Sequence, residues 1–122
     1  MLSTPVHRPP ARAGSPALGF VRSEISAHHA PRHGREIQRY ARESGYHYLS
    51  TVVPPPGKPN PLTHIRARAT ELGAEVIIAF DLAHVDNQPH LFCDLGYQLE
   101  TVCPHLVWTP SVPPAAKGAA AL

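Results

Sequence analysis

The sequence predicts a small three-layer α/β domain, in the order β-α-β-α-β-α-β, with a four-stranded, mainly parallel sheet. Three observations carry this. Short apolar runs suited to strands covered on both faces fall at residues 17–21 and 75–80. Between and after them, apolar residues recur at helical spacing and the runs close on glycine. The 122 residues, 43% of them hydrophobic, provide one core and suit one domain.

The elements follow in order. Ala-Leu-Gly-Phe-Val at 17–21 reads as a buried strand, followed by a polar loop over 23–32, rich in Ser, His and Ala. A helix is predicted over 34–44, because Ile37, Tyr40 and Ala41 stand at i, i+3 and i+4 and Gly45 can end it. Tyr-His-Tyr-Leu-Ser-Thr-Val-Val at 46–53 is β-rich. The proline-rich 54–61 connection excludes a helix interior or a central strand. A second helix over 62–72 carries the stripe Leu62, Ile65, Ala69 and Leu72, with Gly73 beyond it. Glu-Val-Ile-Ile-Ala-Phe at 75–80 is the plainest strand. Asp86 or Asn87 is expected to cap a short third helix with Pro89 in its first turn, ending before Gly96. A fourth strand spans 97–102, and 103–108 either extends it or packs across its end. Strands alternating with helices imply parallel pairing with right-handed crossovers, and the expected order is 2-1-3-4. Residues 1–16 and 109–122 carry proline without hydrophobic periodicity and are expected to be disordered tails around a folded unit of 17–108.

Composition narrows the function. The net charge is +2, with 11 Lys and Arg spread along the chain and only Lys58 and Lys117 as lysines, so DNA binding is possible but not indicated. No run of about 18 apolar residues calls for a membrane span, and no apolar leader core opens the chain. Two cysteines, Cys93 and Cys103, fit reduced thiols and a cytoplasmic location. No G-x-G-x-x-G, Walker A or G-x-S-x-G motif occurs, and no cofactor is expected.

Gly19-Phe-Val-Arg22, the segment Glu36-Ile-Gln-Arg-Tyr-Ala-Arg-Glu-Ser-Gly45 and Leu72-Gly-Ala-Glu-Val-Ile-Ile78 occur in an order and spacing that resemble the catalytic domain of serine recombinases of the resolvase/invertase family. The resemblance covers about residues 17–108 and implies the same strand order. It aligns the family's first-strand arginine with Arg22 and places Glu24 at the nucleophilic serine. Ser23 and Ser26 are nearby, but on a strand a one-residue shift turns a side chain to the other face. Where the family carries Arg-Pro-x-Leu and Asp-Arg-Leu-x-Arg, this chain has Pro59-Asn-Pro-Leu62 and Ala83-His-Val-Asp-Asn87. The 14 residues after Trp108, 109–122, are not expected to hold the family's long dimerising helix or its DNA-binding domain. The resemblance therefore implies a degenerate, catalytically inactive module that acts through protein contacts, as a homodimer or with another partner.

Ligands of open parallel sheets bind beyond the strand carboxyl ends where the order reverses, here between the first and third strands. Arg22, Ser23, Glu24, Asp81 and His84 are expected there. Arg22, Glu24, Asp81 and His84 form the candidate ligand site, for a small anion or nucleotide; the competing reading is an ion pair of Arg22 with Glu24 or Asp81 closing the sheet end. A weaker zinc set comprises His84, His90, Cys93, Cys103 and His105, which lacks the usual paired spacing. His28, His29 and His33 are read as solvated loop residues, and Phe80, Tyr97 and Trp108 as core aromatics.

Overall fold

Val76–Ala79 forms the central strand β3, all four side chains buried. It pairs in parallel with β1 (Pro16–Phe20) on one side and β4 (Gln98–Thr101) on the other. β1 pairs in parallel with β2 (His47–Val52), with a register shift between Ala17 and Leu18. β4 carries a fifth strand, β5 (Leu106–Trp108), antiparallel to it. In this computed structural model, which describes residues 13–55, 57 and 59–111, the sheet order is 2-1-3-4-5. The predicted α/β architecture and the 2-1-3-4 order hold. The fourth strand turns back on itself, so the stretch after residue 102 adds an antiparallel edge; Thr101 Oγ1 closes that turn by donating to the Pro104 carbonyl at 2.6 Å.

The helices cover the two faces unequally. α2 (Ala30–Glu43) lies on one face, where Ile37 and Ala41 pack with Ala17, Val21, Val76 and Ile78. α3 (Pro61–Leu72) and α4 (His90–Cys93) cover the other, where Ile65, Ala69 and Phe92 meet Leu18, Phe20, Ile77, Ala79 and Leu99. Alternate residues of each strand feed the two layers, as period-two geometry demands. α3 ends where Gly73 takes a left-handed conformation, φ 70°, as its sequence position implies.

Beside α2 the layer is polar. Glu100, 2% exposed, accepts hydrogen bonds from the hydroxyls of Tyr40 and Tyr46 and, at 2.6 Å, from the Gln98 amide. Burial and the adjoining Glu100 push both phenols well above their ordinary range. The three donors satisfy a carboxylate whose burial would otherwise be costly.

Several boundaries move. The segment expected as a polar loop over 23–32 is instead α1 (Ser23–Ser26), a 3₁₀ turn (Ala27–His29) and the first turn of α2. Pro31 is tolerated there because the first turn needs no amide hydrogens, and His33 is buried in place of solvated. Asp86 and Asn87 do not cap α4; Asp86 closes a 3₁₀ turn (Leu82–Val85), and both adopt left-handed φ of 55°. The folded unit also reaches past 17–108: Gly14 N–H donates to the Gly45 carbonyl at 2.7 Å and Ser111 N–H to the Cys93 carbonyl at 2.9 Å. The remainder of the expected tails, residues 1–12 and 112–122, lies outside the described residues.

At Gly19 in β1, side chains of α2 and β2, Ile37 and Tyr48, come close to the backbone. A Cβ there would overlap the Tyr48 hydroxyl and sit 2.9 Å from Ile37 Cγ2. Gly19→Ala is expected to destabilise the fold by about 1–3 kcal/mol, read by urea unfolding. Tyr48→Phe in the same chain should recover part of that loss, because it removes the overlapping oxygen.

Candidate functional site

The β1–β3 pairing brings the residues after Phe20 and after Ala79 to one end of the sheet, at the point where the strand order reverses. β1 delivers Arg22 and then α1; β3 delivers Phe80, Asp81 and the Leu82–Val85 turn. All four residues expected at the site meet there. Arg22 Nε lies 3.2 Å from Glu24 Oε2. The Arg22 backbone N–H donates to His84 Nδ1 at 2.9 Å. Asp81 Oδ1 is 3.9 Å from His84 Nε2 and accepts from the Ala83 backbone N–H at 3.1 Å, which fixes the start of the turn.

The second carboxylate on Arg22 is Asp86, with Nη1 to Oδ1 at 2.8 Å, and not Asp81. The reason is the left-handed bend at Asp86, which turns it back toward β1. Arg22 Nη1 also reaches the His84 carbonyl at 3.5 Å. Arg22 is 14% exposed in its side chain while Glu24 and Asp86 are 43% and 50%, so the guanidinium is enclosed by two carboxylates that remain in water. A hydrogen bond from its own backbone N–H, and then Arg22, hold the Glu24 carboxyl below its usual range despite desolvation.

The structure adds residues that the sequence did not reveal. Ser26 Oγ stands between two imidazoles, 2.8 Å from His33 Nδ1 and 3.4 Å from His84 Nε2. All three residues are buried. The His33 ring stacks on Phe80, with centroids 3.7 Å apart and planes 12° apart. Since a main-chain N–H can only donate, His84 Nδ1 is unprotonated and its hydrogen sits on Nε2. Ser26 Oγ then accepts from His84 Nε2, so the donors run in one direction from Arg22 N–H to His84 to Ser26, and Ser26 Oγ shares a further hydrogen bond with His33 Nδ1. Burial pushes the His84 imidazole below its ordinary value, opposed by Asp81 and reinforced by His33 and Arg22.

The seven-residue spacing of Ser26 and His33 is the one signal in the sequence, and it points to a shared face only if the segment is helical. Ser23 Oγ is buried with no hydrogen-bond partner among the described residues. Ala27, with φ 53° and ψ −132°, occupies a region costly for a residue with a Cβ. Among the described residues, three of the four non-glycine residues at positive φ, namely Ala27, Asp86 and Asn87, flank the cluster.

The residues of the weaker zinc reading are not gathered. Cys93 packs in the layer of α3 and α4, its thiol donating to the Trp108 carbonyl at 3.6 Å and pushed up to about 11 by burial. His105 rests by Tyr40, with ring centroids 5.4 Å apart. His84 is committed to Arg22. Among the described residues, no group of three or more histidine, cysteine or acidic side chains is placed to hold a metal ion.

Comparison of this chain with protein-family models, curated proteins and solved structures finds no match.

Two substitutions separate the buried relay from the exposed ion pairs. Ser26→Ala leaves His33 Nδ1 and His84 Nε2 without their common partner and is expected to cost about 1–3 kcal/mol. Glu24→Ala removes a half-exposed carboxylate and is expected to cost about 0.2–1 kcal/mol. Urea unfolding at neutral pH compares them; equal costs would show that the relay contributes no more than a surface pair.

Proposed function

We propose that this chain is a recombinase-like α/β module without recombinase chemistry, one that acts through contacts with a protein partner or with a second copy of itself. The observation that carries the reading is the state of Arg22. A phosphoryl-transfer site of the kind the sequence resembles needs a serine hydroxyl and several cations around the reacting phosphate. Here Glu24 stands at the serine position and Arg22 is spent on Glu24 and Asp86. With Asp81 beside His84, the cluster sets three carboxylates against one guanidinium. That balance repels a phosphodiester.

Support for protein contact comes from the other edge of the sheet. β5 is an edge strand whose Leu106 and Val107 are 41% and 44% exposed, and Leu95 is 43% exposed. Edge strands with exposed apolar side chains are sites for pairing with another chain. No helix among the described residues is long and apolar enough to cross a membrane. Cys93 and Cys103 are free thiols, in keeping with the cytoplasmic location expected from composition.

A small ligand at Arg22, Glu24, Asp81 and His84 is the second reading. The partnerless Ser23 hydroxyl and the left-handed residues around the cluster favour it, since strained backbone gathers at functional sites. The local charge excess shifts the preferred ligand from an anion or nucleotide to a neutral or cationic group.

Light scattering across a concentration series tests the homodimer, and pull-down with the Leu106→Glu variant as control tests a different partner. A strict monomer with no partner lost on Leu106→Glu overturns the interaction reading. If phosphate, sulfate, nucleotides and simple amines all leave the melting temperature unchanged at millimolar concentration, the ligand reading falls, because a ligand of the native state must raise it.

A further inference from the structure

The buried relay beneath Arg22 has a chemical polarity that most buried hydrogen-bond chains lack. Hydroxyls and side-chain amides can turn to offer a donor or an acceptor. The Arg22 main-chain N–H cannot, and it points at His84 Nδ1 from 2.9 Å. The link exists only while His84 Nδ1 carries no proton. The next link follows from the same choice: with its hydrogen on Nε2, His84 donates to Ser26 Oγ at 3.4 Å, and Ser26 Oγ in turn lies 2.8 Å from His33 Nδ1.

We propose that the Arg22 main chain and His84, braced by Ser26, form a proton-operated latch that holds the entry of α1 against the turn after β3 at neutral pH and releases it when His84 is protonated. Protonated His84 sets two N–H donors face to face across the 2.9 Å contact. That removes the tie that Arg22 N, at the entry to α1, makes to the turn after β3.

The groups facing the latch set the balance of charge. From β1 and α1 these are Arg22 and Glu24. From the turn after β3 they are Asp81, 3.9 Å from His84 Nε2, and Asp86, which reaches the cluster through Arg22. From the 3₁₀ turn and α2 they are His33 itself and His29, stacked on it at a centroid distance of 5.8 Å, with His28 beyond at 3.9 Å from His29. Asp81 and Glu24 favour the protonated His84; Arg22 and His33 oppose it. Burial decides the sign, because His84 is 1% exposed and desolvation penalises its charged form.

The direction of the pH effect follows. The fold holds His84 below its ordinary value of about 6.5, so the unfolded chain takes up the proton more readily. The stabilisation is complete above that ordinary value and is lost as the pH falls through it. Release has a ready path at Ala27, whose φ of 53° and ψ of −132° relax when α1 is no longer tied down. The surface altered is the one α1 presents, Glu24 and the 38% exposed Ile25.

The test is ¹⁵N NMR of the full chain from pH 7.5 to 5. At pH 7.5 the His84 ring nitrogens should report hydrogen on Nε2 and none on Nδ1. As the pH falls, amide exchange at Arg22, corrected for its intrinsic pH dependence, should rise at least about tenfold, with the Ser26 amide shifting in step with the His84 ring. Amides of Ile77 and Ile78 in β3 should stay protected. His84→Asn supplies an oxygen near the Nδ1 position that accepts without titrating, and it should flatten the Arg22 response. Hydrogen on Nδ1 at pH 7.5, an Arg22 amide indifferent to His84 titration, or an undiminished response in His84→Asn would each overturn the latch. If His84→Asn fails to fold, the tautomer and the Arg22 exchange of the unaltered protein decide the matter alone.

Discussion

The parallel pairing of β1 with β3 is the constraint on which the rest of this molecule depends. Apart from the half-buried Pro16 that opens β1, both strands are buried, and each has a second neighbour, β2 for one and β4 for the other. Because the chain leaves β1 for β2 and returns across it to β3, α2 and α3 must lie on opposite faces. The same pairing puts the two segments that follow Phe20 and Ala79 side by side. Arg22 and His84, 62 residues apart in sequence, meet as a consequence of register, and nothing local to either segment would bring them together.

At that junction the protein spends its polar groups on itself. Arg22 holds two carboxylates, its main-chain N–H holds His84, and Ser26 joins His84 to His33. The ion pairs face water and contribute little individually. The imidazole–hydroxyl chain is buried and must be complete, since one missing partner would leave others unsatisfied in a medium of low dielectric. The same logic governs Glu100, whose buried carboxylate is met by three neutral donors and not by a cation. In both places burial disfavours the charged form: the His84 imidazolium at one end of the sheet and the phenolates of Tyr40 and Tyr46 on one face.

The sequence made the architecture legible where burial produces a strong local pattern. The apolar run at 75–80 contains β3, the stripe Leu62, Ile65, Ala69 and Leu72 contains α3, and Gly73 stops it at the expected residue. It was least legible where a polar residue is buried through distant contacts. His28, His29 and His33 together read as a solvated loop, yet His33 is enclosed by Ser26 and Phe80 and belongs to a helix. Asp86 and Asn87 read as helix caps, yet both take left-handed backbone that closes the turn after β3, and Asp86 pairs with Arg22. The antiparallel β5 had no local signature, because a three-residue strand takes its stability from the β4 edge it covers.

By itself, then, the sequence determined the strand and helix periodicities, the order of elements and the neighbourhood of Arg22, Glu24, Asp81 and His84. These follow from local hydrophobic pattern, chain connectivity and the handedness of crossovers. Only the tertiary structure decided which carboxylates hold Arg22, which nitrogen of His84 carries hydrogen and that Ser26 and His33 belong to the same cluster. Those are matters of a few ångströms and of donor direction between segments remote in sequence, set by the β1–β3 register and by the bends at Ala27 and Asp86, and no local pattern encodes them.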